Sequence, residues 1–272
     1  MSRRISSLAP ITALGLFWLV AGAAPSAARP LAEMPPGLAS ARFLPGWTDA
    51  SGNRVSALEL KLQPGWKTYW RTPGDSGLPP SFDWSGSDNL ADVTYHWPTP
   101  EAIRSGGETT MGYHDRLILP LTAAPQDPAR PVALHAALEF GLCERICVPA
   151  YLELAAPKPG GQPDPVIMAA MADVPRPVGD QPLCRLQDLP DGVQVDALLP
   201  LSDARAAVLE LADRPEIWVS GTELHSEDQA QRATADFVPP EGAPFALETD
   251  QLRLTVITPA GAVEMRGCAP ED

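Results

Sequence analysis

A chain of 272 residues can build two modest domains with cores of their own, while 32 prolines and 21 glycines exclude an architecture of long helices. A formal charge of −14 excludes a nucleic-acid binder, which needs clustered Lys and Arg. What remains is a protein of many short strands and turns, with an acidic surface that serves solubility or meets a basic or cationic partner.

The N-terminus reads as an export signal. Arg3 and Arg4 form a basic start, an apolar run follows from Leu8 to Ala24, and Ser26-Ala27-Ala28 offers small residues for cleavage before Arg29. No later stretch approaches the ~20 apolar residues of a membrane span. The expected location is the bacterial periplasm. In that oxidising compartment the four cysteines are expected to pair.

After an irregular, Pro-rich segment from Pro30 to Gly46, Ser56–Leu62 alternates cleanly, with Leu58, Leu60 and Leu62 on one face, and reads as a half-buried strand. Trp66–Arg71 follows Pro64-Gly65 and leads into a turn-rich loop, Thr72–Pro80. Phe82–Trp84 and Val93–Trp97 read as short aromatic strands, Glu101–Met111 as a polar, Gly-containing loop, and Arg116–Leu121 as a strand whose Pro120 predicts an edge or a bulge. Pro131–Phe140 alternates again, with Val132, Leu134, Ala136, Leu138 and Phe140 on one face, and Val148–Leu154 returns from it. Pro157–Pro163 reads as a linker, and Asp164-Pro165 as the cap and first residue of a short helix, Val166–Ala172. Strand texture then resumes at Val193–Val195, Ala206–Leu211, Glu216–Val219, Leu252–Ile257 and Val263–Met265.

The predicted fold class is all-β. The expected division is a signal peptide over 1–28, a β-sandwich over 30–157, a linker and helix over 158–178, and a second, smaller β-rich domain of sandwich type over 179–272.

Chemistry concentrates in Phe140–Ala150. Cys143 and Cys147 stand three residues apart between two alternating runs, so a hairpin would place both thiols at its end. In the chain-entropy model a disulfide closing so short a ring stabilises by only ~2 kcal/mol, against ~4.6 kcal/mol for a loop of ~85 residues. Such a bond can open without unfolding its domain, which suits a redox shuttle. Arg145 between the sulfurs favours a thiolate, Glu144 opposes it, and Pro149 stiffens the exit. Two rival readings stand beside exchange: an inert hairpin disulfide, and a Cu(I) site on two soft thiolates. No resident cofactor is otherwise expected. Cys184 and Cys268, far apart in sequence, read as a long-loop structural disulfide. The aromatic group Trp66, Tyr69, Trp70, Trp84 and Trp97 is expected to be mostly core, with some members flanking the thiols, and Tyr69, Trp70, Glu144, Arg145 and Pro149 are the residues expected around the pair. His96, His114, His135 and His225 are isolated, and no hydrolase triad or nucleotide fingerprint is present.

Three motifs in order, Pro64–Pro80, Met111–Pro120 and Gly141–Ala150, resemble the N-terminal periplasmic domain of DsbD-type thiol:disulfide interchange proteins, in their ScsB-like branch, which is linked to copper tolerance. The resemblance covers about Pro35 to Pro157. It implies an immunoglobulin-like sandwich whose cysteine pair, here Cys143 and Cys147, takes electrons from a membrane-embedded thiol transporter and passes them to periplasmic thioredoxin-like proteins. It places Tyr69 in the strand near the cysteines and Glu101–Met111 at the position of the loop that caps the site. That loop lacks an aromatic residue here. No transporter segment follows in this sequence, so the expected partners are separate proteins, and the expected activity is thiol:disulfide interchange.

Overall fold

The computed structural model describes residues 34–105, 107–212, 214–227 and 230–271. The expected signal peptide lies outside them. Among the described residues no helix is long and apolar enough to cross a membrane.

The first half contains ten strands: β1 (Leu38–Thr48), β2 (Arg54–Leu62), β3 (Lys67–Tyr69), β4 (Ser81–Asp83), β5 (Leu90–Tyr95), β6 (Glu101–Ser105), β7 (Glu108–His114), β8 (Arg116–Pro125), β9 (His135–Cys143) and β10 (Cys147–Ala155). They form one sheet in the order β1-β2-β8-β5 and another in the order β10-β9-β3-β7-β6, with β4 also paired to β9. The core lies between the sheets. Leu58, Leu60, Leu119 and Leu121 enter it from one side, and Met111, Tyr113, Leu138, Phe140 and Leu142 from the other. The predicted apolar face from Val132 to Phe140 is buried throughout. Alternation with period two is what lets one strand give one face to the core.

Several local features differ from expectation. Leu38–Gly46, within the segment expected to be irregular, belongs to β1, which pairs with β2 along its length. β2 is buried on both faces, because Ile167 of the following helix packs on Leu44, Val55 and Ala57 of the side expected to meet solvent. Glu101–Met111 is a β-hairpin rather than a loop, with Ser105 paired to Glu108 across its tip. Pro120 sits inside β8, which is flanked by β2 and β5. Its carbonyl accepts the His96 amide at 2.9 Å, just past the end of β5 at Tyr95. A residue's N–H and C=O point to the same neighbouring strand, so the donor missing from Pro120 faces His96, just past the end of β5, and the forgone bond falls at the end of that pairing rather than inside it.

The helix α1 (Pro165–Ala172) begins as expected: the Asp164 carboxylate accepts the Val166 amide at 2.8 Å and proline takes the first turn. Beyond it come β11 (Arg176–Pro177), β12 (Leu183–Asp188), β13 (Val193–Leu198), β14 (Ala206–Leu211), β15 (Trp218–Val219), β16 (Glu223–Glu227), β17 (Ala230–Val238), β18 (Leu252–Thr258), β19 (Gly261–Arg266) and β20 (Ala269–Pro270). One sheet has the order β11-β19-β18-β14 and the other β15-β17-β13-β12-β20, with β16 also on β17. A second core, built on Val195, Leu209, Phe237, Leu254 and Met265, fills the space between them. A disulfide joins Cys184 on β12 to Cys268, just before β20, with Cα atoms 5.8 Å apart. The chain is thus all-β: an immunoglobulin-like sandwich followed by a second β-rich sandwich.

Candidate active site

β9 and β10 pair in continuous antiparallel register from His135–Ala155 to Cys143–Cys147. The two cysteines therefore stand directly opposite each other at the hairpin's end, and Glu144–Ile146 makes the turn. They form a disulfide with Cα atoms 4.2 Å apart. The even-numbered residues of β9 fill the core, so Gly141 and Cys143 belong to the outer face of the sheet. Cys143 is nonetheless only 1% exposed, whereas Cys147 is exposed. The two sulfurs of one bond thus differ in access to a partner.

Tyr69 covers the buried member. β3 lies beside β9, with Lys67 opposite Cys143. Tyr69, two residues on, shares the outer face with Lys67, and its hydroxyl lies 2.8 Å from the Cys143 sulfur and 3.1 Å from the Cys147 sulfur. The ring reaches the sulfurs by crossing Gly141. A Cβ on Gly141 would stand 2.9 Å from the Tyr69 ring and 2.8 Å from Cβ of Leu78. Only glycine leaves room for that crossing. Burial raises the Tyr69 hydroxyl above its ordinary pKa, so it stays protonated and able to donate at neutral pH.

Lys67 is 8% exposed. Its ammonium donates to the Thr110 hydroxyl at 3.2 Å and lies 5.8 Å from the centre of the Tyr69 ring. Among the described residues it has no carboxylate partner, and burial lowers its pKa. At the sheet edge His114 Nδ1 meets Glu101 at 2.9 Å, both exposed.

The residues expected around the thiols divide. Tyr69, Glu144, Arg145 and Pro149 come together at the hairpin end; Glu144, Arg145 and Pro149 are exposed there, with Pro149 paired to Gly141. Trp70 does not join them. It points from β3 into the core, 0% exposed, with the Arg71 guanidinium 4.1 Å from its ring centre on the way to the second sandwich. Adjacent residues of a strand face opposite ways, so Tyr69 at the sulfurs obliges Trp70 to face inward. Trp84 and Trp97 pack with Phe82 and Tyr95 elsewhere on the sandwich. Sequence reasoning missed Lys67, Gly141 and Leu78. The available signal was the pairing of β3 with β9, which places the loop after β3 over Gly141.

Large apolar side chains are exposed next to Cys147, farther along β10, and on the segment over Gly141. Ile146 is 76% exposed, Tyr151 61% and Leu78 40%. Tyr151 follows Cys147 and Pro149 on the outward side of β10. Among the described residues no group of three or more His, Cys, Asp or Glu side chains gathers as metal ligands.

Comparisons with known proteins bear on the family and the fold. Residues 40–159 match the family described as thiol:disulfide interchange protein DsbD, N-terminal. The crystal structure of the N-terminal periplasmic domain of ScsB from Proteus mirabilis superposes with a TM-score of 0.58 at 21% identity, covering 84% of this chain and 92% of that one. A structure described as manganese lipoxygenase of Gaeumannomyces graminis with partial zonadhesin of Komagataella pastoris aligns at a TM-score of 0.23 and 8% identity over 84% of this chain and 92% of that one, too distant for argument. No curated protein matches the chain.

Proposed function

We propose that this chain, whose residues 40–159 are a DsbD N-terminal domain, is a periplasmic thiol–disulfide exchange protein working through Cys143 and Cys147. It relays electrons from a membrane-embedded thiol transporter to thioredoxin-like proteins, with copper tolerance as the physiological setting. The observation that carries this reading is the asymmetry of the pair: Cys143 lies buried under Tyr69 while Cys147 is exposed beside Ile146.

The reduced pair acts as follows. The Cys147 thiolate attacks a partner's disulfide, forming a mixed disulfide and releasing one partner thiolate. The Cys143 thiolate, accepting a hydrogen bond from Tyr69, then attacks the Cys147 sulfur. The intramolecular disulfide closes and the partner leaves with its second thiol. The partner gains two electrons and two protons, and the chain loses them. The membrane transporter restores both by the reverse exchange.

Two variants test the scheme. Cys143→Ser removes the resolving thiol and is expected to accumulate a covalent Cys147–partner adduct with a thioredoxin-like protein. Cys147→Ser leaves only the buried sulfur and is expected to capture none. Capture by neither variant would reject exchange; capture by Cys147→Ser alone would reverse the roles.

A further inference from the structure

The second sandwich grips the segment that leaves β3. The Arg71 guanidinium donates to Glu210 at 2.9–3.3 Å, to Glu264 at 2.9 Å and to the Thr255 hydroxyl at 3.4 Å. The Thr72 hydroxyl donates to the same Glu210, and Arg253 closes the group with donors 3.0 and 3.1 Å from the Glu210 oxygens. Glu210, Arg253, Thr255 and Glu264 sit on neighbouring strands of one sheet, β14, β18 and β19. Ala206 and Val208, on the same side of β14 as Glu210, join the core of the first sandwich. Glu210 is 4% exposed, so its two Arg partners are held in a dry setting where charge-assisted bonds are strong. Farther along, the Asp75 carboxylate accepts the backbone amide of Gly221.

The same segment packs on Tyr69, which covers the buried sulfur. A Cβ on Gly77 would fall 2.2 Å from Pro73 and 3.1 Å from the Tyr69 ring. Leu78 lies over Gly141, where that ring crosses β9. A run of eight residues is therefore pinned to the second sandwich at Arg71, Thr72 and Asp75, meets the Tyr69 ring at Gly77, and lies over Gly141 at Leu78. We propose that the second sandwich is part of the redox site's scaffold: through Glu210 and Gly221 it holds the segment from Arg71 to Leu78 against Tyr69, and so sets where the Tyr69 hydroxyl lies relative to the two sulfurs. Glu210 and Asp75 are positioning residues. They touch neither sulfur, and they act through Tyr69. A hydroxyl held at hydrogen-bond distance stabilises a thiolate; one free to drift does so less.

The proposal rests on the reading that the pair exchanges disulfides, but its test needs no partner. The full chain is reduced, and the rate of alkylation by iodoacetamide is followed against pH, which reports the thiolate of the more acidic cysteine. Asp75→Ala frees the Gly221 amide, and Asp75→Asn keeps a carbonyl oxygen to accept it. Asp75→Ala is expected to shift the profile upward, lowering the thiolate fraction near neutral pH roughly threefold or more, as partial loss of a hydrogen bond to a charged acceptor requires. Asp75→Asn is expected to restore most of the wild-type profile. Glu210→Gln, if it folds, is expected to shift the profile the same way. A profile unchanged or lowered in Asp75→Ala, or displaced equally in Asp75→Asn, would overturn the proposal. Failure to trap a partner would instead reject the exchange reading and leave this result standing.

Discussion

The Tyr69 hydroxyl stands 2.8 Å from the Cys143 sulfur, on the cysteine that solvent does not reach. In the disulfide this is a contact with a weak acceptor; after reduction the same hydroxyl faces a thiolate. Hydrogen bonds to charged groups contribute ~1.5–3 kcal/mol. Tyr69→Phe keeps the ring over Gly141 and is expected to preserve the fold while lowering the thiolate fraction of the reduced pair roughly tenfold or more. Thiol titration of the reduced protein measures this, and an unchanged profile would remove Tyr69 from the mechanism.

The two disulfides should differ sharply in what they stabilise. They close sequence separations of 4 and 84 residues. In the chain-entropy model these correspond to about 2 and about 4.6 kcal/mol. Double serine replacement of Cys143 and Cys147 is expected to lower Tm modestly, and the same change at Cys184 and Cys268 to lower it about twice as much. Calorimetry of the two variants decides; equal losses would contradict the division of labour.

Lys67 is a buried ammonium whose one described partner is a neutral hydroxyl. Burial lowers its pKa, so the folded state disfavours its proton, and this penalty is present at neutral pH and disappears as pH rises past the ordinary lysine value. Lys67→Met removes the charge and keeps the length. Its stability near neutral pH is expected to equal or exceed wild type, with the difference shrinking at alkaline pH. A urea midpoint well below wild type would show an unrecognised role for the charge.

At alkaline pH a tyrosine takes over. Burial pushes Tyr95 up to about 12, with Asp92 adding to the effect and the Trp84 indole donor opposing it. A phenol whose folded pKa lies above its unfolded value of about 10 contributes stability that is whole below that value and falls between pH about 10 and about 12. Tyr95→Phe is expected to flatten the decline by close to one proton in an unfolding series across that window. An unaltered slope would assign the alkaline loss to other groups.

The hairpin was legible because β9 alternates without interruption and Val148–Leu154 returns from it after the three-residue turn Glu144–Ile146. The helix start was legible because Asp164-Pro165 is a cap written locally. What stayed hidden depends on contacts distant in sequence. β6 and β7 read as a loop because their outer residues are polar and the hairpin lies at a sheet edge, where few positions need to be apolar. β17 was missed because much of its buried face is alanine, at Ala233 and Ala235, which carries little periodic signal. Arg71 and Glu210 lie 139 positions apart, and nothing local in either stretch announces the partner. Trp70 was grouped with the site by composition, and strand parity sent it into the core.

The central claim is that the bond between Cys143 and Cys147 is made to open. Equilibrating the folded chain in glutathione and dithiothreitol buffers, and scoring the pair by thiol labelling, gives its reduction potential. A value between roughly −300 and −120 mV, with Cys184–Cys268 still closed, is the predicted result. A potential far below about −300 mV would mark the bond as structural and contradict the account.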